Sequence, residues 1–230
     1  MNSAMALTVL PNLVQQLELA AGQDKFSAQR ERLLKLVAGI KRFDASVRTA
    51  FYQDLGERTF SRRIYFNSTT PLGDDTIHLE PQSFLLQATD FPVERKRVLF
   101  GEIRKRLLDG EVLGPRQREK PLNEPLFGSG IAENGAYWYA LAGLMIVGVG
   151  TFDKPAAWDL LRQMTFDNFA RNFPGYWAGQ WTAPDTFCSG AAGPLNGLPR
   201  TNDNGLWIPF PAYCAHAHSW PLYCYFRLRE

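Results

Sequence analysis

Apolar positions recur at helical spacing over most of this chain. Between residues 3 and 20, Met5, Val9, Leu13 and Leu17 are spaced by four, and Ala21-Gly22 closes the segment. A second helix is expected from Ser27, a residue suited to an N-cap, with Leu33, Val37, Ile40, Val47 and Phe51 on one stripe. The two are expected to pair as an antiparallel hairpin. Residues 58–66, RTFSRRIYF, combine β-branched and aromatic side chains ahead of the turn formers Asn67, Pro71, Gly73 and Asp74, which predicts a short strand or extended arm. Helices follow over about 81–88 and 92–108, the latter with Leu99, Ile103 and Leu107 inward and Asp109-Gly110 as its stop. Pro and Gly recur through 113–130 and again through 172–212, so both stretches are expected to be long loops, a kind that is usually functional or disordered. Between and beyond them the pattern predicts helices over 135–152, 155–169 and 216–228, the 155–169 helix burying Trp158, Leu161, Met164 or Thr165, and Phe169.

The expected architecture is therefore all-α, with about seven helices arranged as consecutive hairpins whose longest loops fall on alternate connections. Alternating inner and outer helices with function on one loop face describe an α/α toroid. A closed ring of six hairpins needs more helices than this, so the expectation is a partial (α/α)6 toroid, formed by residues 1–230 as a single domain. In such an incomplete ring, inner helices such as 135–150 should show apolar flanks to solvent, which implies association with a complementary chain or a second copy, or poor solubility.

Composition changes this picture little. The chain is 45% hydrophobic and 21% charged, enough to bury a sizeable core. Its 25 basic and 23 acidic side chains are too balanced to point to a nucleic acid, and the basic cluster over 94–106 has acids interleaved at helical spacing, as a solvated helix face does. Residues 135–152 carry no charge over about 18 residues, the lower limit for a membrane span. Four glycines, an aromatic start and the bordering Glu133 and Asp153 favour instead the inner helix of a large fold, with no membrane partner. Cys188, Cys214 and Cys224 form no CxxC pair, and Gln15, Gln16 and Glu18 interrupt what would be the apolar core of a leader, so a reducing, cytoplasmic location is expected.

The candidate chemistry lies in two segments near the C-terminus, FPGYWAGQWTAPDTF and AYCAHAHSWPL, where rings alternate with short polar groups. A pyranose offers flat C–H faces to Trp and Tyr and a rim of hydroxyls to directed donors and acceptors, so this mixture suits a sugar as well as a core. Trp177, Gln180, Trp181 and Asp185 are the candidate sugar contacts. Asp185 is also a candidate general acid, should burial against Trp181 raise its pKa. Glu133 and Asn134 open an apolar helix beside the long loop and read either as helix-start residues or as hydroxyl ligands. Glu80, just before Pro81, reads as a helix-start acid. His216 and His218 point apart on a helix and lack an obvious third ligand, so no metal is expected.

Four of these pieces, taken in order, carry a resemblance: GDDTIHLEPQ at 73–82, ENGAYW at 133–138, YWAGQWTAPD at 176–185 and HAHSWP at 216–221. Together they resemble the C-terminal half of the catalytic barrel in glycoside hydrolase family 94, which includes cellobiose, chitobiose and 1,2-β-oligoglucan phosphorylases and the phosphorylase-like region of cyclic β-1,2-glucan synthase. The resemblance implies an (α/α)6 barrel and inverting phosphorolysis of β-linked gluco-oligosaccharides, with inorganic phosphate as co-substrate and no other cofactor. Such chemistry needs one carboxylic acid to protonate the leaving oxygen, because phosphate replaces the activated water of an inverting hydrolase. In the family a segment similar to 216–219 helps hold phosphate, so His218, with His216 and Ser219 at the start of a helix whose free N–H groups favour an anion, is the phosphate candidate. The family's general-acid Asp lies in an Asp-rich motif ahead of the helix that matches residues 1–20. No such string occurs here, so the proton donor is expected to precede Met1. The alternatives are an inverting hydrolase on the same fold and a non-catalytic glycan-binding fragment.

Overall fold

The computed structural model describes residues 2–67, 69–122, 128–176, 184–200 and 215–230. They are mostly helical: α1 Asn2–Ala21, α2 Arg30–Leu55, α3 Leu79–Gln87, α4 Val93–Ile103, α5 Tyr139–Gly150, α6 Lys154–Gln163, α7 Phe166–Asn172 and α8 His216–Arg229. Two small antiparallel pairs accompany them, β1 Ile64–Asn67 with β2 Thr70–Leu72, and β3 Thr186–Phe187 with β4 Pro199–Arg200.

Helices α1, α3, α5 and α8 pack side by side in that order. They run parallel, as their cross-links show. Thr8 Oγ donates to the Phe84 carbonyl at 3.2 Å, Ser83 Oγ to Leu141 at 3.1 Å, and Gln87 Nε2 to Leu144 at 2.9 Å. Along α5, Gly143 lies against Trp220 and Gly150 against Leu228. The returning helices α2, α4 and α6 pack on α1, α3 and α5 respectively. The antiparallel α1–α2 hairpin is fixed by Lys41 on Glu18 at one end and Arg48 on the Leu7 carbonyl at the other. The connections α1–α2, α3–α4 and α5–α6 are short, whereas those leading into α3, α5 and α8 are long. The described parts of the long connections therefore collect where the parallel helices begin.

The core sits between the layers. Helix α3 is buried almost all round, and α5 presents apolar side chains on every face between α3 and α8. Glycine makes that position possible: a Cβ on Gly143 would lie 2.5 Å from the Trp220 ring, and one on Gly148 would lie 2.7 Å from Leu86 Cβ. Among the described residues no helix is long and apolar enough to cross a membrane.

Several sequence expectations need correction. The buried residues of α1 are Ala4, Leu7, Val14 and Ala21, while Met5, Val9 and Leu13 of the four-spaced stripe are exposed. Helix α5 is not the one with bare apolar flanks, because α3 and α8 cover it. Within the parallel layer the exposed large apolar side chains lie on its end helices, Met5, Val9, Leu13 and Leu19 on α1 and Leu222, Tyr223, Tyr225 and Phe226 on α8. A 3-10 turn over Asp24–Gln29 delays the start of α2 from Ser27 to Arg30. The helix expected over 155–169 is two helices, since the Thr165 hydroxyl accepts from the Asn168 N–H and starts α7 afresh. Helix α5 begins at Tyr139 rather than 135. Gly135 turns the chain with φ +105°, and Tyr137 is extended.

Candidate functional site

That extended Tyr137 belongs to a ladder across the starts of the parallel helices. Leu79 N–H donates to Gln117 at 2.8 Å and Glu119 N–H to Ile77 at 3.1 Å. Gln117 N–H donates to Ala136 at 3.0 Å. Tyr137 and Phe187 exchange two hydrogen bonds, of 2.8 and 3.1 Å, and Cys188 N–H donates to Leu198 at 2.9 Å. Five short pieces, around 77–79, 117–119, 136–137, 186–188 and 198–200, thus stitch the long connections together. Each piece is too short to be read from periodicity, and the pairing satisfies loop backbone that would otherwise be buried without partners.

Two buried carboxylates anchor the ladder, and neither was singled out as such by sequence pattern. Glu80, in the first turn of α3, receives Arg63 through both oxygens at 2.9 and 3.1 Å and Gln117 Nε2 at 2.9 Å. Glu111 accepts from the Tyr137 hydroxyl and from the Gly190 N–H at 3.0 Å, and forms an ion pair with Arg116 at 3.1 Å. Arg118 and Arg200 are buried on the same ladder. Burial, then the Glu111 charge, raises the Tyr137 phenol far above its usual range. Burial also lifts the Cys188 thiol to about 11 and that of Cys224 to about 12, which makes both poor nucleophiles.

His78 is buried with its Nε2 unbonded, and its pKa is pushed down to about 3, first by burial and then by the charges of Arg118 and Arg63. It stays neutral in the native protein at pH values where the unfolded chain takes up a proton. Its contribution is therefore fully present above the unfolded pKa near 6.5 and is lost as pH falls toward 3. Between pH 6.5 and 5 this amounts to about 2 kcal/mol. His78→Asn is expected to flatten the fall in stability over that interval, measured by urea unfolding at a series of pH values. An unchanged slope would remove His78 as its source.

The sequence-predicted site residues fall on this framework unevenly. Trp177, Gln180 and Trp181 lie outside the described residues, as does Cys214. Asp185 is half-buried just before β3. Glu133 and Asn134 form the 3-10 turn before Gly135. The bridge Tyr137↔Phe187 lies three residues after Asn134 and two after Asp185, and Ser189 N–H continues the contact by donating to Gly130 at 2.9 Å. Both sets therefore lie within a few residues of that bridge, outside regular strands. Asn134 is buried, and its carboxamide grips the backbone of Leu122 through both Oδ1 (2.6 Å) and Nδ2 (3.1 Å), closing the end of the 109–122 connection.

His218 and Ser219 are exposed in the first turn of α8, which follows Ala215 at φ +62°. The Ser219 hydroxyl donates to the Ala215 carbonyl at 2.8 Å and keeps its lone pairs for another donor. The His216 side chain lies outside the described atoms. Trp220 packs on Gly143, so the start of α8 is held against α5 at the same end as the ladder.

Among the described residues, no group of three His, Cys, Asp or Glu side chains is placed to hold a metal ion. A concavity of about 610 Å³ between α4 and α6 includes none of the sequence-predicted residues, so size alone does not mark the site. No family model and no curated protein matches the chain.

Proposed function

We propose that residues 1–230 form one side of the sugar and phosphate cleft of an inverting β-glucoside phosphorylase built on an (α/α)6 barrel, with the proton donor supplied from outside these residues. The observation that carries this reading is the gathering of the described parts of the long connections at one end of the parallel helices. Residues 77–79, 136–137 and 186–188, within or beside segments that resemble family 94, are linked by hydrogen bonds there, which supports a shared face. There the positive end of α8, with the exposed His218 and Ser219 side chains, would face phosphate, while the His218 and Ser219 N–H groups donate to the Ala215 carbonyl. Arg118 and Arg200 are the buried ladder cations that would add to that potential. The aromatic segment ending at Asp185 would hold the sugar.

A hydrolase on the same fold needs a second carboxylate able to activate water. Glu80 and Glu111 are each engaged by several donors and buried, which favours phosphorolysis over hydrolysis.

Inorganic phosphate is expected to slow amide exchange at 217–219 in the intact chain, and His218→Ala to weaken that protection about tenfold, as the loss of a hydrogen bond to a charged group implies. Hydrogen-exchange mass spectrometry checks this. Equal protection in the variant would remove His218 from the phosphate site, and no protection at any phosphate concentration would remove the site itself.

A further inference from the structure

A second concavity, of about 480 Å³, lies where the start of α1, the end of α2 and the β1–β2 hairpin meet. Its volume is in the range of about 300–1,000 Å³ usual for small-molecule sites. Phe51, Tyr65 and Phe66 supply rings, and Asp54, Arg62 and Arg63 supply acceptors and donors. The hairpin belongs to the α2–α3 connection, so this concavity is at the same end of the helices as the ladder.

The charges choose the ligand. Arg58 and Arg62 both pair with Asp54 and Asp74, and Arg63 pairs with Glu80. Three guanidiniums thus face three carboxylates. An anion entering here meets as much repulsion as attraction, whereas a neutral polyol can accept from Arg62, donate to Asp54 and lay a C–H face on a ring. Phe66 is 69% exposed and packs on little of its own chain, which leaves its ring available. A patch of rings alone would equally suit a peptide, but the charged pairs among them offer directed partners to hydroxyls.

We propose that this concavity is a distal glycan subsite, which holds the far sugar units of a long β-linked gluco-oligosaccharide while its reacting end lies at the ladder. The proposal rests on the phosphorylase reading and adds a preference for longer substrates. Its test is calorimetric titration of the full chain with β-linked glucose oligomers from disaccharide to hexasaccharide. Affinity is expected to rise with length. Phe66→Ala is expected to weaken the hexasaccharide about five- to tenfold, as loss of one stacking contact implies, and to leave the disaccharide unchanged. Tyr65→Ala should act in the same direction, and circular dichroism identifies a variant that fails to fold. Hexasaccharide binding untouched by Phe66→Ala would overturn the subsite and leave the phosphorylase reading in place. Inorganic phosphate protecting the hairpin from exchange would also overturn it, since the site would then select an anion. Absence of binding at every length would overturn the subsite, while phosphate protection at 217–219 would score the phosphorylase reading separately.

Discussion

Glu80→Ala is expected to cost about 3 kcal/mol of folding stability. The carboxylate is 6% exposed and takes three hydrogen bonds, two of them from Arg63 and one from Gln117. Its removal leaves a guanidinium that gave up part of its hydration to form the pair. Breaking a buried pair from one side costs about 3–5 kcal/mol, and the 29% exposure of Arg63 lowers the figure toward the bottom of that range. Glu80→Gln keeps the shape and one acceptor and is expected to lose about half as much. Urea unfolding with an unchanged m-value checks both. If Arg63→Ala and Glu80→Ala prove additive in the double variant, the pair does not couple the hairpin strand to α3.

The second large effect lies in α5, where a mutation that ordinarily stabilises a helix should do the reverse. Alanine is better than glycine in a helix by about 1 kcal/mol. At Gly39 in α2 nothing stands within 4 Å of the added methyl, so Gly39→Ala is expected to stabilise by about 0.5–1 kcal/mol. At Gly148 the methyl would meet Leu86 Cβ at 2.7 Å and the backbone of Leu86 and Gln87 at 3.1 and 3.2 Å. Overpacking against backbone costs about 1–3 kcal/mol, so Gly148→Ala is expected to be net destabilising. Gly148→Val, which adds β-branching and two methyls, should lose about 3 kcal/mol or more. Thermal or urea unfolding of the three variants is the check. Stabilisation by Gly148→Ala would mean that α3 and α5 are not in close contact there.

Periodicity carried the helices whose sequence and packing agree. The α4 segment buries Leu99, Ile103 and Leu107 as spacing marks, α2 buries Val37 and Phe51 with Leu33, Ile40 and Val47 half-buried, and Asp109-Gly110 follows the last turn of the α4 segment as the stop signal requires. It chose the wrong stripe on α1 because both faces of that helix are apolar, and the packing of α2 and α3 decides which one is covered. The break between α6 and α7 was visible only as a capping threonine inside an unbroken apolar rhythm, a local signal that periodicity overrides.

The ladder was beyond reach for a different reason. Its pieces come from connections far apart in sequence, and no single piece contains an alternating pattern. The same holds for Glu80 and Glu111, whose partners come from Arg63 and Gln117 in one case and from Tyr137, Arg116 and Gly190 in the other. Buried acids of this kind look like surface acids until the fold supplies the guanidinium. Of the candidate site, Glu133, Asn134 and His218 could be picked out by residue type and by their place at helix starts, and Asp185 by its place in an aromatic, glycine-rich loop. The bridge between Tyr137 and Phe187 that brings Asn134 and Asp185 into one neighbourhood is set only by tertiary structure.

The phosphorylase reading is tested most directly by release of glucose 1-phosphate from β-linked gluco-oligosaccharides, with and without inorganic phosphate, by the chain alone and with the polypeptide encoded directly upstream added. The account predicts phosphate-dependent release in the presence of the complementary chain and none from residues 1–230 by themselves. Phosphate-dependent release by the chain alone, abolished in Asp185→Asn, would place the proton donor within it. Free glucose released without phosphate would make the protein a hydrolase and contradict the central claim.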